Sequence, residues 1–249
     1  MATVINRESG LRRQYKFRKN AALITAVLFL LALSAMAVGV FKFNITSTAF
    51  IAVCIGMAFF SALFCGAFSK KLPVLRAGVF GEHRAEKLLS KLPQDYFVIT
   101  NCLVSYERKN SELDAVVVGK SGVFIVETKY SAGVIKGDFS AKKLLQIKTT
   151  DAGNQYEKTI YNPVRQVSTH VYRLANFLRT NGIRTYVQGV VYFANEEAEL
   201  RLRNIPEDSV ALFTKSSKDE KLLNFIKQGK EKLSKQEIEK IISLLSKRY

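Results

Sequence analysis

The chain has 249 residues, 48% of them hydrophobic, and 38 Lys and Arg against 21 Asp and Glu, for a formal net charge of +17. That length suits one soluble domain with a membrane segment. The three cysteines and two histidines show no CxxC or paired-ligand spacing, which argues against a zinc site. About half of the net charge lies before Ala77, where it flanks apolar runs. Charge there sets membrane topology, whereas a basic soluble part suits a polyanionic partner.

Residues 1–20 carry Arg7, Arg12, Arg13, Lys16, Arg18 and Lys19 against Glu8 and read as a basic cytoplasmic N-terminus. Ala21–Val40 holds no charge and is long enough to cross a bilayer as a helix. Phe41–Asn44, with Lys42, breaks the run, and Ile45–Phe68 is a second uncharged stretch closed by Lys70, Lys71 and Arg76. Basic residues outside both runs predict a transmembrane helical hairpin over 21–68, about 21–40 and 45–68, with both ends cytoplasmic. Ala52, Gly56, Ala62 and Gly66 would let its helices approach closely. Cys54 and Cys65 read as packed or lipid-embedded. Ala35-Met36-Ala37 has the form of a signal-peptide cleavage site, but the long basic segment and the second span speak for a hairpin.

Leu72-Pro73 marks the exit. Gly78–Leu92 reads as a helix with Ala85, Leu88, Leu89 and Leu92 on one stripe. Glu82 projects near its buried side and suits the dipole at the helix start. Tyr96–Val104 reads as a strand and Ser105–Asn110 as a loop. Short strands are expected at Gly133–Lys136 and Leu144–Thr149, for a mixed sheet of about five strands. Thr150–Tyr161 lacks an apolar period and reads as a loop. Asn162-Pro163 opens a helix, Asn as cap and Pro at the first position. Val167, Val171, Leu174 and Leu178 form its core stripe, with Gln166, His170 and Arg173 on the next stripe, and Asn181-Gly182 ends it. Thr185–Phe193 follows as a strand, Ala194–Asp208 as a charged loop and Val210–Phe213 as an edge strand. Ser217–Lys227 and Ser234–Arg248 read as helices, the latter opened by a capping box from Ser234 to Glu237.

Between the first strand and these lies Ser111–Lys129, where Ala115–Val118 and Val123–Val126 flank Gly119-Lys120-Ser121-Gly122. This is a β-hairpin pattern. Pairing Gly119 with Gly122 puts Asp114 opposite Glu127 and Glu112 opposite Lys129. Alternation then sends Asp114, Glu127 and Lys129 from one face. Opposed like charges about 5 Å apart are destabilising, and buried unpaired carboxylates are costly. A hard divalent cation such as Mg²⁺ between Asp114 and Glu127 would relieve both.

Asp114 followed by Glu127-Thr128-Lys129 resembles the D…(D/E)-x-K core of the PD-(D/E)xK nucleases. Gly81-Glu82, Glu112-Leu113-Asp114, Gly122–Lys129 and Asn162-Pro163-Val164-Arg165-Gln166 come in the order of the nuclease-related domain (NERD) family, over about 77–195. Leu113 stands where the wider superfamily often has Pro. The resemblance implies an α/β, restriction-endonuclease-like mixed sheet flanked by helices, preceded by the two-helix transmembrane hairpin. Residues 196–249 would pack on or beside it. It implies a membrane-anchored nuclease that hydrolyses DNA with Mg²⁺ or Mn²⁺, in the bilayer of a bacterial inner membrane and facing the cytoplasm. Asp114, Glu127 and the Thr128 carbonyl would hold the metal. Lys129 would orient water or stabilise the phosphorane, Glu82 would be a third acid and Gln166 would face the centre. The alternative is a catalytically silent nucleic-acid-binding or membrane scaffold module on the same fold.

Overall fold

A computed structural model describes residues 1–45, 47–150, 152–205, 210–215 and 219–246. Asp208, Ser217, Arg248 and Tyr249, which bound expected segments, lie outside the described residues. The chain forms two compact units, residues 10–79 and residues 1–9 with 80–249.

The first unit holds α1 (Gly10–Phe43), α2 (Thr48–Ser69) and the beginning of α3 (Leu72–Leu89). Both α1 and α2 are long and apolar enough to cross a membrane. Large side chains such as Leu23, Leu30, Phe59 and Phe60 point outward, while Ala22, Ala32, Gly39, Cys54 and Ala58 are buried. The expected small-residue contact through Ala52, Gly56, Ala62 and Gly66 is not the one formed. An added Cβ on Gly56 or Gly66 would meet nothing within 4 Å. The packed stripe instead runs through Cys54, Ala58 and Cys65, whose Sγ donates to the Ala22 carbonyl at 3.6 Å. Spacings of four and seven residues keep that stripe on one helix face.

The second unit is mixed α/β, with two sheets where about five strands in one are expected. The six-stranded sheet has the order β1 (Thr3–Ile5), β2 (Phe97–Tyr106), β3 (Lys109–Gly119), β4 (Gly122–Lys129), β8 (Val187–Phe193), β10 (Ala211–Thr214). β2–β3 and β3–β4 pair antiparallel, and β1–β2, β4–β8 and β8–β10 pair parallel. The four-stranded sheet has the order β7 (Gln155–Tyr161), β6 (Lys143–Thr149), β5 (Gly133–Asp138), β9 (Ala198–Arg203).

One face of the large sheet packs on α4 (Pro163–Thr180) and α6 (Lys235–Ser246) through Val167, Leu174, Leu178, Ile238 and Ile241. Ile135, Leu144 and Ala198 of the small sheet join this core. The other face packs on α3 and α5 (Asp219–Lys227) through Ala85, Leu88, Leu89, Leu222 and Ile226. The start of α4 is as the sequence predicts: Asn162 Oδ1 accepts from the Val164 N–H at 3.0 Å, and Pro163 takes the first turn. The Ser234–Glu237 box also forms, each side chain engaging the other residue's N–H.

Four expectations change. Residues 1–20, expected as one basic N-terminal segment, divide: residues 1–9 are part of the sheet unit, with β1 on β2, and α1 begins at Gly10. Ser105–Asn110 is mostly strand, closed by Glu107-Arg108 with φ of 51° and 59°, the left-handed pair of a tight hairpin turn. Thr150–Tyr161 contains β7, an exposed edge strand whose backbone pairs with β6 without burying a face, so no apolar period announces it. The charged Ala194–Asp208 stretch contains β9, where Ala198, Leu200 and Leu202 alternate with Glu199, Arg201 and Arg203.

Candidate functional site

The β3–β4 register is the one the hairpin pattern requires, from Gly119↔Gly122 to Ala115↔Val126. The ladder stops there. Beyond it, Glu127, Thr128 and Lys129 pair only with Val191, Tyr192 and Phe193 of β8. Asp114 is the first residue past the ladder, and its Oδ2 accepts the Thr128 N–H at 2.8 Å in place of a backbone partner.

A kink causes the departure. The β2–β3 ladder skips Asn101 and Asp114 between Thr100↔Ala115 and Cys102↔Leu113, and Asn101 has a φ of 51°. Strict alternation would put Ile99 and Cys102 on opposite faces, and likewise Leu113 and Val116. All four lie in the same core, so both strands turn over at this point. Residues 6 and 7 brace the turn: Asn101 Nδ2 donates to the Arg7 carbonyl at 2.6 Å, and Thr100 Oγ1 to Asn6 Oδ1 at 2.9 Å.

Opposite the kink, α4 addresses β4. Lys129 Nζ donates to Glu127 Oε1 at 2.7 Å and to Gln166 Oε1 at 2.9 Å. One turn along, His170 Nε2 lies 3.6 Å from Glu127 Oε2. Four helical residues rise about 6 Å and two strand residues about 6.7 Å. Gln166 and His170 therefore match Lys129 and Glu127 in spacing. The sequence singles out Asp114, Glu127, Lys129 and Gln166, and the structure brings these four together.

Burial dominates the electrostatics. Glu127 is 1% exposed. Its carboxyl is pushed up by burial, against the pull of Lys129. Asp114 is pushed up to about 7, first by burial and then by the charge of Glu127, with the Thr128 N–H and Lys129 opposing. His170 is pushed down to about 4 by burial, then by Arg173 and Lys129. The imidazole is thus neutral at physiological pH. Its contact with Glu127 is no ion pair, and 3.6 Å is too long for a hydrogen bond. Among the described residues, Glu127 Oε2, Thr128 Oγ1 and both His170 nitrogens are buried without a hydrogen-bond partner. Such groups cost stability unless something else engages them.

Glu82 sits on α3, where Oε2 accepts from Ser9 Oγ at 2.9 Å. The charges acting on Asp114 are Glu127, Lys129 and Glu112. Among the described residues, no three His, Cys, Asp or Glu side chains are grouped to hold a metal. Gly81 has its own role, since a Cβ there would stand 2.7 Å from Cβ of Tyr130, the residue after Lys129. Sequence reasoning missed the brace from residues 6–9. A polar Asn in an otherwise apolar strand, able to adopt positive φ, was its available signal.

An α/β domain with two acids and a lysine gathered where strands diverge is the class these observations define. Residues 77–194, a little under half of the chain, match the family model of the nuclease-related domain, NERD. That match supports a nuclease-like domain. The chain is also 38% identical over 71 residues to an uncharacterized protein of Bacillus anthracis, covering 28% of this chain and 34% of that protein. The chain thus spans about a third of that relative's length. No solved structure matches.

Proposed function

We propose that the chain is a membrane-tethered, metal-dependent nuclease with a restriction-endonuclease-like core that hydrolyses DNA phosphodiesters. The observation that carries the reading is the acid pair: Asp114 with its carboxyl raised to about 7, beside Glu127, whose Oε2 is buried and unpartnered. With Lys129 bonded to Glu127, the ionised trio keeps a negative charge. An oxygen donor set of Asp114, Glu127 and the Thr128 carbonyl fits a hard cation, Mg²⁺ or Mn²⁺. When bound, such an ion polarises the phosphate and lowers the pKa of water.

The protein groups have separable roles. Glu127 Oε1 and Gln166 Oε1 hold Lys129 Nζ, fixing a cation beside the acids where charge builds on the phosphoryl oxygens. The Thr128 N–H fixes the Asp114 carboxyl. Gln166 acts through Lys129, and Glu82 holds Ser9 against α3.

For the tether, α1 and α2 would each cross the bilayer. Because β1 pairs with β2, residues before α1 and after α2 share one side, so the number of crossings is even. The positive flanks make that side the cytoplasm, and in a bacterium the bilayer is the inner membrane.

The test uses the full chain in detergent micelles with plasmid, linear DNA and RNA, with Mg²⁺, Mn²⁺ or EDTA, beside Glu127→Gln. Metal-dependent cutting at least a hundredfold lower in the variant is expected. Wild-type cutting by the variant would eliminate this site. Nucleic-acid binding without cutting, and without any metal effect, would leave the silent binding module.

A further inference from the structure

We propose that the β2–β3 turn and the second half of α4 form a docking platform for the nucleic-acid strand about five phosphates from the site. The proposal rests on the nuclease reading and assigns where its substrate is gripped.

The tip of the β2–β3 hairpin leans on α4. The Tyr106 and Tyr172 rings meet edge to face, with centroids 6.0 Å apart and planes at 79°. Arg173 fastens the two elements, donating to the Asn110 carbonyl at 3.1 Å and to Ser111 Oγ. On this frame Arg108, Lys109 and Arg179 are exposed, and Tyr172 is 56% exposed. Arg179 lies close enough to Tyr106 to act on its phenol. Arg108 and Lys109 have no ion-pair partner among the described residues. Arg179 is held on the helix by Asn176 Oδ1, so the frame presents a half-exposed tyrosine, steadied by a second ring, with three exposed cations around it. It has the composition of a surface on which bases stack and phosphates are neutralised.

Position selects the partner. β3 carries Lys109 at one end and Asp114 five residues on, about 17 Å away. α4 carries Gln166 and, thirteen residues on, Arg179, about 20 Å away. Both elements that build the site thus lead to the platform. At about 3.4 Å per phosphate along one strand, that span is roughly five phosphates. A polyanion whose scissile phosphate lies at Asp114 and Lys129 meets the platform with its flank. A bilayer headgroup layer could satisfy the same charges, but nothing would then tie the platform to these two elements.

The experiment compares the full chain with R108A/K109A and with Tyr172→Ala. DNA of about 40 nucleotides is set against oligonucleotides of about three, too short to reach both places. The variants should lose about tenfold in kcat/KM on the long substrate and none on the short. R108A/K109A should lower the slope of log affinity against log salt by about 2. Equal loss on both lengths, or no loss, overturns the platform while leaving the nuclease reading intact. A wild-type chain that neither cuts nor binds DNA removes both. Unchanged DNA affinity with weakened attraction to anionic over zwitterionic lipid nanodiscs gives the surface to the bilayer and overturns the proposal.

Discussion

Replacing Asp114 by Asn should stabilise the protein above neutral pH while disabling it. Desolvation and Glu127 raise the Asp114 carboxyl from 3.8 to about 7. The folded state therefore holds a proton that the unfolded chain releases between those values. A raised acid favours the fold below its unfolded pKa and loses that advantage as pH climbs through the folded one. At about 1.4 kcal/mol per unit, three units come to about 4 kcal/mol at pH 8. Asp114 keeps partial contact with water. Screening removes about half, leaving about 2 kcal/mol, or roughly 4–8 °C in Tm for a domain of this size. Asn can still accept the Thr128 N–H, so the substitution deletes charge without deleting that bond. The assay is thermal unfolding of wild type and D114N in EDTA at pH 4 and pH 8, followed by circular dichroism. Near-equal Tm at pH 4 and a more stable variant at pH 8 are expected. Adding Mg²⁺ at a hundred times its Kd should return about 2.7 kcal/mol to the wild type alone. A variant less stable than wild type at pH 8 in EDTA would refute the claim that the ionised pair is under electrostatic strain.

Two further outcomes follow from the same packing. His170→Phe should gain about 1 kcal/mol, because it removes two buried ring nitrogens that lack partners. A drop in Tm would show that those nitrogens are satisfied in solution. Gly81→Ala should lose about 1–3 kcal/mol, since its Cβ would sit 2.7 Å from Cβ of Tyr130 and must displace the strand end after Lys129. An unchanged Tm and unchanged cutting would mean that this contact carries no constraint.

The central hairpin was legible because Gly119 and Gly122 bound a turn between two apolar runs, so one register followed and carried Asp114 toward Glu127. Asn162-Pro163 fixed the start of α4, but Gln166 was legible only through the resemblance to the family's Asn-Pro-x-x-Gln pattern. β9 was readable in principle, but its alternating Leu residues are hidden among charges. β7 was not readable, because an exposed edge strand is specified by its partner's backbone rather than by its own side chains. The contact between Ser9 and Glu82 was not readable for a related reason. The helix position of Glu82 fixes which way it points, yet not that Ser9, more than seventy residues earlier, would meet it. Long-range contacts of that kind leave no local periodicity.

The strand Thr3–Ile5 lies at the border of the large sheet, over Phe97–Ile99. A fragment beginning at residue 77 would be the natural choice for work without detergent, and it would lack that strand. β2 would then offer the unpaired amides and carbonyls of Phe97-Val98-Ile99 as a ready template for a second molecule. Such a fragment would also lose the clasp on Asn101. Its precipitation or inactivity would report a missing strand, not a requirement for lipid. Supplying residues 1–9 through a short linker ahead of residue 80 would keep the sheet border closed.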